Sequence, residues 1–444
     1  MKIVNLTPGT GSFYCGSCLR DHALVRALRR RGHEVLMAPI YLPLVVESPV
    51  TESDAQADTD RGDWGDPPIF FGGVNLYLKQ KLAVFRKTPR WLDRWLDAEA
   101  ILRLVSRRAA ATRSRDLAEL TLSMLEGEQG RQARELDRLV RWLESTGPVD
   151  VVCLSNALLA GLARAIRCRL HVPVVCTLQG EDAFLDSLAD PHRDAAWRTL
   201  ADRAHHIDAF IAVSHYHGEK MRDRLGLAPK RVAVAYNGID LDGYSLAAPA
   251  PDPDPPTVGY LSRMCPDKGL HTLVEAFVRL KDRNRVKGLK MRIAGTVTRA
   301  DLKFVRSMRE RLETAGLGAD AEFLPNVDRM AKLAMLRSLS LLSVPAAYGE
   351  AFGLYVLEAL ASGVPVVQPR HGAFTELLAE TGGGILVPSE DAAALAAAIE
   401  SVLLDPDRRR AMAEQGRGKV FERFGADRMA SDVERVLHSV VRKT

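Results

Sequence analysis

Long apolar runs are missing from this chain. No stretch approaches the roughly 18 consecutive apolar residues that a membrane-spanning helix needs, which argues against a helical membrane protein. Met1-Lys2 leads straight into the strand-like 3–6 segment with no signal-peptide pattern, so a cytoplasmic protein is expected. Cysteine is scarce: six residues (Cys15, Cys18, Cys153, Cys168, Cys176 and Cys265) are too sparse for the disulfide framework of a small secreted domain. The close pair Cys15-Gly-Ser-Cys18 raises redox and metal readings, but a zinc site wants four ligands and no second close pair follows. Loop packing near a substrate is the favoured reading of that pair, and no metal is expected. Charge imbalance is also missing: a net charge of +5 over 444 residues does not describe a nucleic-acid binder. No repeat with a 20–50-residue period is present.

What is there is an ordinary globular composition, 47% hydrophobic and 26% charged. The length suggests about two to three domains with substantial cores.

The most informative stretch is 343–367, SVPAAYGEAFGLYVLEALASGVPVV. Apolar runs at 339–344 and 364–367 predict two buried strands. Between them 352–361 predicts a short helix, broken by Ser362-Gly363. A strand, a glycine turn and a helix start make an anion site in doubly wound folds, because the first N–H groups of the helix have no intrahelical acceptor. Gly353 and Leu354 occupy that turn. Glu350 precedes it, and Glu358 lies one turn inside the helix, on the face of Leu354 and leaning toward the helix start. A carboxylate in the apolar run around Glu358 needs a hydrogen-bonding partner, and a ribose diol offers two donors to one bidentate acceptor.

The rest of the chain alternates strands and helices. A βαβ opening comprises strand 2–6, helix 20–31 and strand 35–38; the turn between the first two carries Gly9, Gly11 and Gly16. Gly16 is the best candidate there for close backbone approach to phosphate, beside the plain reading of a tight turn. Residues 47–68 are acidic and loop-like. The 89–144 stretch is helical and arginine-rich, with Trp91 and Trp95 on one face. It suits a wall of an acceptor pocket, core packing with a solvated face, or a helix lying in a membrane interface. Strand 172–177 runs into Gln179-Gly180-Glu181-Asp182, whose carboxylates suit either acceptor hydroxyls or cap and loop roles. Prolines 249, 251, 253, 255 and 256 mark a semi-rigid linker over 247–257. Beyond it, strand 257–261 leads to Arg263 and Lys268 before helix 270–280, where two cations suit a diphosphate.

The pattern E-A-F-G-L-Y-V-L-E-A-L-A-S-G-V-P-V at 350–366 resembles the signature of retaining glycosyltransferases of family 4, the glycosyl transferases group 1, which have the GT-B architecture. RALRRRGHEV at 26–35, S-R-M-C-P-D-K-G at 262–269 and N-G-I-D at 237–240 resemble further family elements. The resemblance implies an α/β protein of two Rossmann-like doubly wound domains facing a central cleft. Residues 1–246 form the acceptor-side domain with a helical insertion near 86–145, 258–424 the donor domain, and 425–444 a helix crossing back. It implies transfer of a hexose-type sugar from a nucleoside-diphosphate-sugar to an acceptor hydroxyl, with retention and an α-glycosidic bond. The donor is a co-substrate and no cofactor is implied. The acceptor is a glycan or lipid-linked molecule, with peripheral membrane contact at the inner face as an extension.

In that scheme Glu350, Arg263 and Lys268 act on the donor sugar and its departing diphosphate. Gly16, Phe352, Gly353 and Leu354 line the diphosphate and its surroundings, the backbone near Asn326 and Val327 holds the base, and Glu358 holds the ribose. Gln179 stands where many members carry His. A neutral carboxamide can donate and accept hydrogen bonds but cannot shuttle a proton. That departure leaves a second reading, a non-catalytic GT-B scaffold that binds nucleotide-sugar.

Overall fold

The computed structural model describes residues 1–9, 16–41, 114–244 and 253–442. The expectations for Gly11, Cys15, the acidic stretch 47–68, the Trp- and Arg-rich segment up to 113, and Pro249 and Pro251 lie outside the described residues. The chain packs into two compact units, Met1–Tyr236 with Asp427–Thr444, and Asn237–Ala426.

The first unit holds β1 (Lys2–Thr7), α1 (Gly16–Arg30), β2 (Glu34–Pro39), α2 (Ser114–Leu125), α3 (Ala133–Ser145), β3 (Val151–Leu154), α4 (Ala163–Leu170), β4 (Val174–Leu178), α5 (Glu181–Asp186), α6 (His192–Arg203), β5 (Ala209–Ala212), α7 (His215–Leu225) and β6 (Val232–Val234). Its six strands are parallel in the order β2-β1-β3-β4-β5-β6. Such strands are covered on both faces, so they read as continuous apolar runs rather than alternating ones. Val4, Leu6, Leu154, Val174, Cys176 and Phe210 are fully buried. Between β3 and α4 the chain forms a 3-10 segment, Ala157–Leu162, with the Asn156 side chain accepting from the Leu158 N–H.

The second unit holds β7 (Thr257–Leu261), α8 (Leu270–Arg283), β8 (Lys290–Gly295), α9 (Leu302–Thr314), β9 (Ala321–Pro325), α10 (Arg329–Arg337), β10 (Leu341–Leu342), α11 (Leu354–Ala361), β11 (Val366–Pro369), α12 (Phe374–Thr381), β12 (Gly384–Val387), α13 (Ala392–Leu403) and α14 (Pro406–Arg423). Its parallel sheet runs β12-β11-β10-β7-β8-β9. The unit begins earlier than the proline linker suggests. Ile239 donates its N–H to the Phe424 carbonyl at 2.9 Å and accepts from Ala426 at 2.9 Å, which ties the Asn-Gly turn to the end of α14.

The last helix, α15 (Ala426–Val441), returns to the first unit. Arg30 reaches Asp427 at 2.8 Å, and Arg31 and His33 reach Glu434 at 2.6 and 2.9 Å. Among the described residues no helix is long and apolar enough to cross a membrane.

Candidate active site

In each unit the strand order reverses beside the first strand, and open parallel sheets bind ligands at that switch point, outside the strands' carboxyl ends. In the second unit it lies between β7 and β10; Arg263 and Lys268 follow the first of these strands, and Glu350, Gly353 and Leu354 follow the second.

Arg263 and Lys268 follow β7. The turn passes so close to the end of β10 that a Cβ on Gly269 would lie 1.7 Å from the Pro345 carbonyl oxygen, and Gly269 has a φ of +70°. Only glycine fits. The Ala347 N–H donates to the Asp267 carbonyl at 2.9 Å, which locks the two strand ends together. As a result Lys268 meets a residue 82 positions away, Glu350, in an ion pair to its Oε2. The same oxygen accepts from the Tyr355 hydroxyl at 2.9 Å and the Tyr348 hydroxyl at 3.5 Å. The Lys268 ammonium also lies 4.9 Å from the centre of the Tyr348 ring, within cation–π range. Burial pulls the Lys268 pKa down, but the Glu350 carboxylate and Tyr348 outweigh it and hold the ammonium above the ordinary lysine value. Burial and the same carboxylate push both tyrosine hydroxyls up.

Arg263 is likewise paired. Its Nε and Nη2 each lie 3.0 Å from an Asp301 oxygen. The two cations expected to face a diphosphate thus each carry a carboxylate partner, and the charge of the four side chains cancels. What the turn presents to an anion is directed N–H groups rather than excess positive charge.

Gly353 caps α11 with a φ of +90°, in the left-handed region. Leu354 follows half-buried at the helix start. The Phe352 ring is buried, its centre 6.5 Å from that of Phe424. Glu358 is 8% exposed, and Lys332 supplies the partner that burial demands, 2.8 Å from Oε1, with the Tyr244 hydroxyl at 3.4 Å from the same oxygen. Val327 is half-buried just beyond β9. Before it, Asn326 takes a φ of +54°, and its side chain accepts from the Val297 N–H at 3.2 Å.

In the first unit the switch point lies between β1 and β3. Gly16 is the first residue of α1 there, half-buried. Gln179 follows β4. Its Nε2 donates to the Ser155 carbonyl at 2.6 Å and to Asp21 Oδ1 at 3.3 Å. Asp21 is fully buried and also accepts from Arg20 at 2.9 Å. Both partners of the amide only accept, so its oxygen must point the other way. Glu181 resolves toward a loop role: its carboxylate accepts from the N–H groups of Ala157, Gln179 and Gly180 at 2.6, 2.8 and 3.0 Å. Asp182 pairs with Lys220 at 2.5 Å. His217, fully buried, accepts from the Gly180 N–H at 3.1 Å. Cys18 is buried with its sulfur 3.8 Å from Thr7 Oγ1. Among the described residues no group of three or more His, Cys, Asp or Glu side chains is arranged to hold a metal.

The site holds residues that sequence reasoning missed. Tyr348 and Tyr355 flank Glu350 within the quoted stretch, and T-V-T-R-A-D at 296–301 carries a turn signal ahead of a helix. Lys332 sits in an unremarkable helix and gave no signal.

Comparison with known proteins bears on the family and the fold. Residues 246–419 match the family model "Glycosyl transferases group 1", and 107–242 match "Glycosyltransferase Family 4". The chain is 28% identical over 297 residues to a glycogen synthase of Mycobacterium tuberculosis, covering 65% of this chain and 68% of that protein. It is 32% identical over 157 residues to a D-inositol 3-phosphate glycosyltransferase of Corynebacterium urealyticum, covering 35% and 37%. Among solved structures, a sucrose-phosphate synthase from Thermosynechococcus elongatus aligns over 100% of this chain and 99% of that one, with a TM-score of 0.69 at 17% identity. The Anabaena protein Alr3699/HepE in complex with UDP and glucose aligns over 99% and 100%, with a TM-score of 0.68 at 17% identity. Two parallel-sheet units, with family models that match about half of the first and most of the second, make this chain a family-4-type glycosyltransferase with the GT-B fold.

Proposed function

We propose that the chain transfers a hexose-type sugar from a nucleoside-diphosphate-sugar to an acceptor hydroxyl with retention of anomeric configuration, giving an α-glycosidic bond without a metal ion. The observation that carries this reading is the meeting of Lys268 with Glu350 across the switch point of the second unit, beside Arg263 and the start of α11. Similarity to a protein solved with UDP and glucose makes a UDP-hexose the first donor to try.

On this reading the donor diphosphate lies against the opening of α11 and takes hydrogen bonds from Gly353 and Leu354 backbone N–H groups and from Arg263 and Lys268. As Lys268 turns to the phosphate, Glu350 is released to the sugar, where a carboxylate favours the positive charge that develops at the anomeric carbon. Glu358 binds the ribose, and the backbone beside Val327 holds the base. The bond from the anomeric carbon to the diphosphate oxygen breaks, and the acceptor oxygen bonds to the same face. The acceptor's proton passes to the leaving diphosphate. In the first unit Gly16 lies near the phosphates and Gln179 accepts a hydrogen bond from a sugar hydroxyl. The acceptor is a glycan or lipid-linked molecule met at the cytoplasmic side of a membrane, and no cofactor is required beside the donor co-substrate.

The test is a panel of UDP-, GDP- and ADP-hexoses with glycan and lipid-linked acceptors, run in EDTA, with the product's anomeric configuration read by NMR. An α-linked product from an α-linked donor supports the proposal. Inversion, or activity that EDTA abolishes and Mg²⁺ or Mn²⁺ restores, overturns it.

A further inference from the structure

We infer that Asp301 is a positioning residue for the donor diphosphate: it holds the Arg263 guanidinium by its Nε–Nη2 edge, so that the Nη1 edge is the one offered to phosphate oxygens. The inference rests on the proposed contact between Arg263 and the diphosphate.

The two partners differ sharply in setting. The Arg263 side chain is 51% exposed, while that of Asp301 is 5% exposed. An exposed arginine normally samples many rotamers, and a ligand must then order it. Here Asp301 Oδ1 accepts from Nη2 and Oδ2 from Nε, both at 3.0 Å, in the fork geometry that fixes the guanidinium plane. The carboxylate is itself immobilised. Its Oδ2 also accepts from the Thr298 N–H at 2.9 Å and the Thr298 hydroxyl at 2.6 Å. Its backbone N–H donates to the Thr298 carbonyl at 3.0 Å, and its carbonyl accepts from Val305 at 2.9 Å in the first turn of α9. At the other end of the arginine, the Tyr260 hydroxyl donates to the Arg263 carbonyl at 2.8 Å. The side chain is thus anchored at its backbone and at one face of its head. Nε and one Nη2 hydrogen are committed to Asp301, which leaves the Nη1 edge for a ligand.

Simple electrostatics predicts the opposite behaviour. A carboxylate beside a diphosphate repels it, so removing the charge should tighten binding. Positioning and repulsion therefore give opposite signs for the same substitution.

The experiment is calorimetric titration of the full chain with UDP and, separately, uridine. GDP with guanosine, or ADP with adenosine, is used if that diphosphate binds more tightly. Asp301→Asn is expected to weaken diphosphate binding about tenfold with nucleoside affinity unchanged. Unchanged or tighter diphosphate binding overturns the inference. Arg263→Lys leaves Asp301 in place, keeps the charge and loses the fork, so it covers the case in which Asp301→Asn fails to fold. It too is expected to lose about tenfold for the diphosphate alone, and wild-type affinity would contradict the account. Arg263→Ala separates the two levels. If it leaves diphosphate affinity unchanged, the phosphate contact itself is wrong. If it weakens binding and Asp301→Asn does not, only the positioning role is lost. Failure of all three diphosphates to bind the wild type overturns both.

Discussion

Lys268 and Glu350, both largely buried, hold each other in an ion pair across the ends of β7 and β10. Each is a residue the proposed reaction needs for something else, the diphosphate for one and the sugar for the other. Replacing Glu350 with Gln keeps the shape and releases Lys268 from its anion. Turnover is expected to fall by about 100-fold, as for the loss of one preorganised electrostatic contact. Affinity for the nucleoside diphosphate is expected to hold or rise. Weaker binding, measured by titration, would contradict the exchange of partners at Lys268. Glu350→Ala should in addition cost about 3–5 kcal/mol of stability in a denaturant melt, since it strands a buried cation.

Lys332 places its ammonium 2.8 Å from the Glu358 carboxylate, a residue only 8% exposed. If Glu358 reads the ribose, the wild type prefers UDP over 2′-deoxy-UDP, and Glu358→Ala abolishes that preference by weakening only the ribonucleotide. Equal loss for both ligands would show that Glu358 shapes the unit without touching the sugar. Lys332→Ala is expected to destabilise the protein by about 3–5 kcal/mol by taking the cation away from a buried carboxylate.

Gln179 directs its amide nitrogen at two groups that can only accept, Asp21 and the Ser155 carbonyl. Gln179→Glu sets an acceptor against both. It should lower the melting temperature by about 2–4 °C, the shift that about 1 kcal/mol brings in a unit of this size. Turnover should fall with it, while UDP affinity stays unchanged. Wild-type melting and turnover would mean that the amide orientation does not matter.

Acid stability offers a separate check. Burial pushes the Glu434 carboxyl up, but hydrogen bonds from Arg31 and His33 outweigh it and hold the pKa below the usual glutamate range. Asp301 behaves alike: burial raises it, but hydrogen bonds from Arg263 and Thr298 outweigh that and hold it below the usual aspartate range. A carboxylate with a depressed folded-state pKa stabilises the fold above its unfolded value, about 4. That stabilisation disappears as pH falls through the folded value. Glu434→Gln should therefore lower stability at pH 7 and flatten its decline between about pH 5 and 2, followed by circular dichroism. A parallel downward shift at every pH would exclude the linkage.

Much of this arrangement can be read from the residues themselves. The continuous apolar strands, the glycine turn at 353 and the spacing of Glu350 and Glu358 all follow from local pattern, because burial on both faces and helix periodicity leave direct traces in sequence. Pairing does not. Arg263 and Lys268 look like free cations in the chain, and only the crossing of strands places Asp301 and Glu350 beside them, 38 and 82 residues on. Lys332 and Asp21 were invisible for the same reason. The acidic pair after Gln179 admits two readings from the sequence. The backbone N–H groups gathered on Glu181 decide for a loop role there. The close approach of Ile239 to Gly425 moved the boundary between units, since proline content reports chain stiffness and not which turn pairs with which helix end.

A crystal structure with UDP bound is the most direct test of the account. The diphosphate oxygens should lie about 3 Å from the Arg263 guanidinium, the Lys268 ammonium and the backbone N–H groups at Gly353 and Leu354, with Lys268 withdrawn from Glu350. Phosphates bound away from β7 and β10, with the Lys268–Glu350 pair intact, would contradict it.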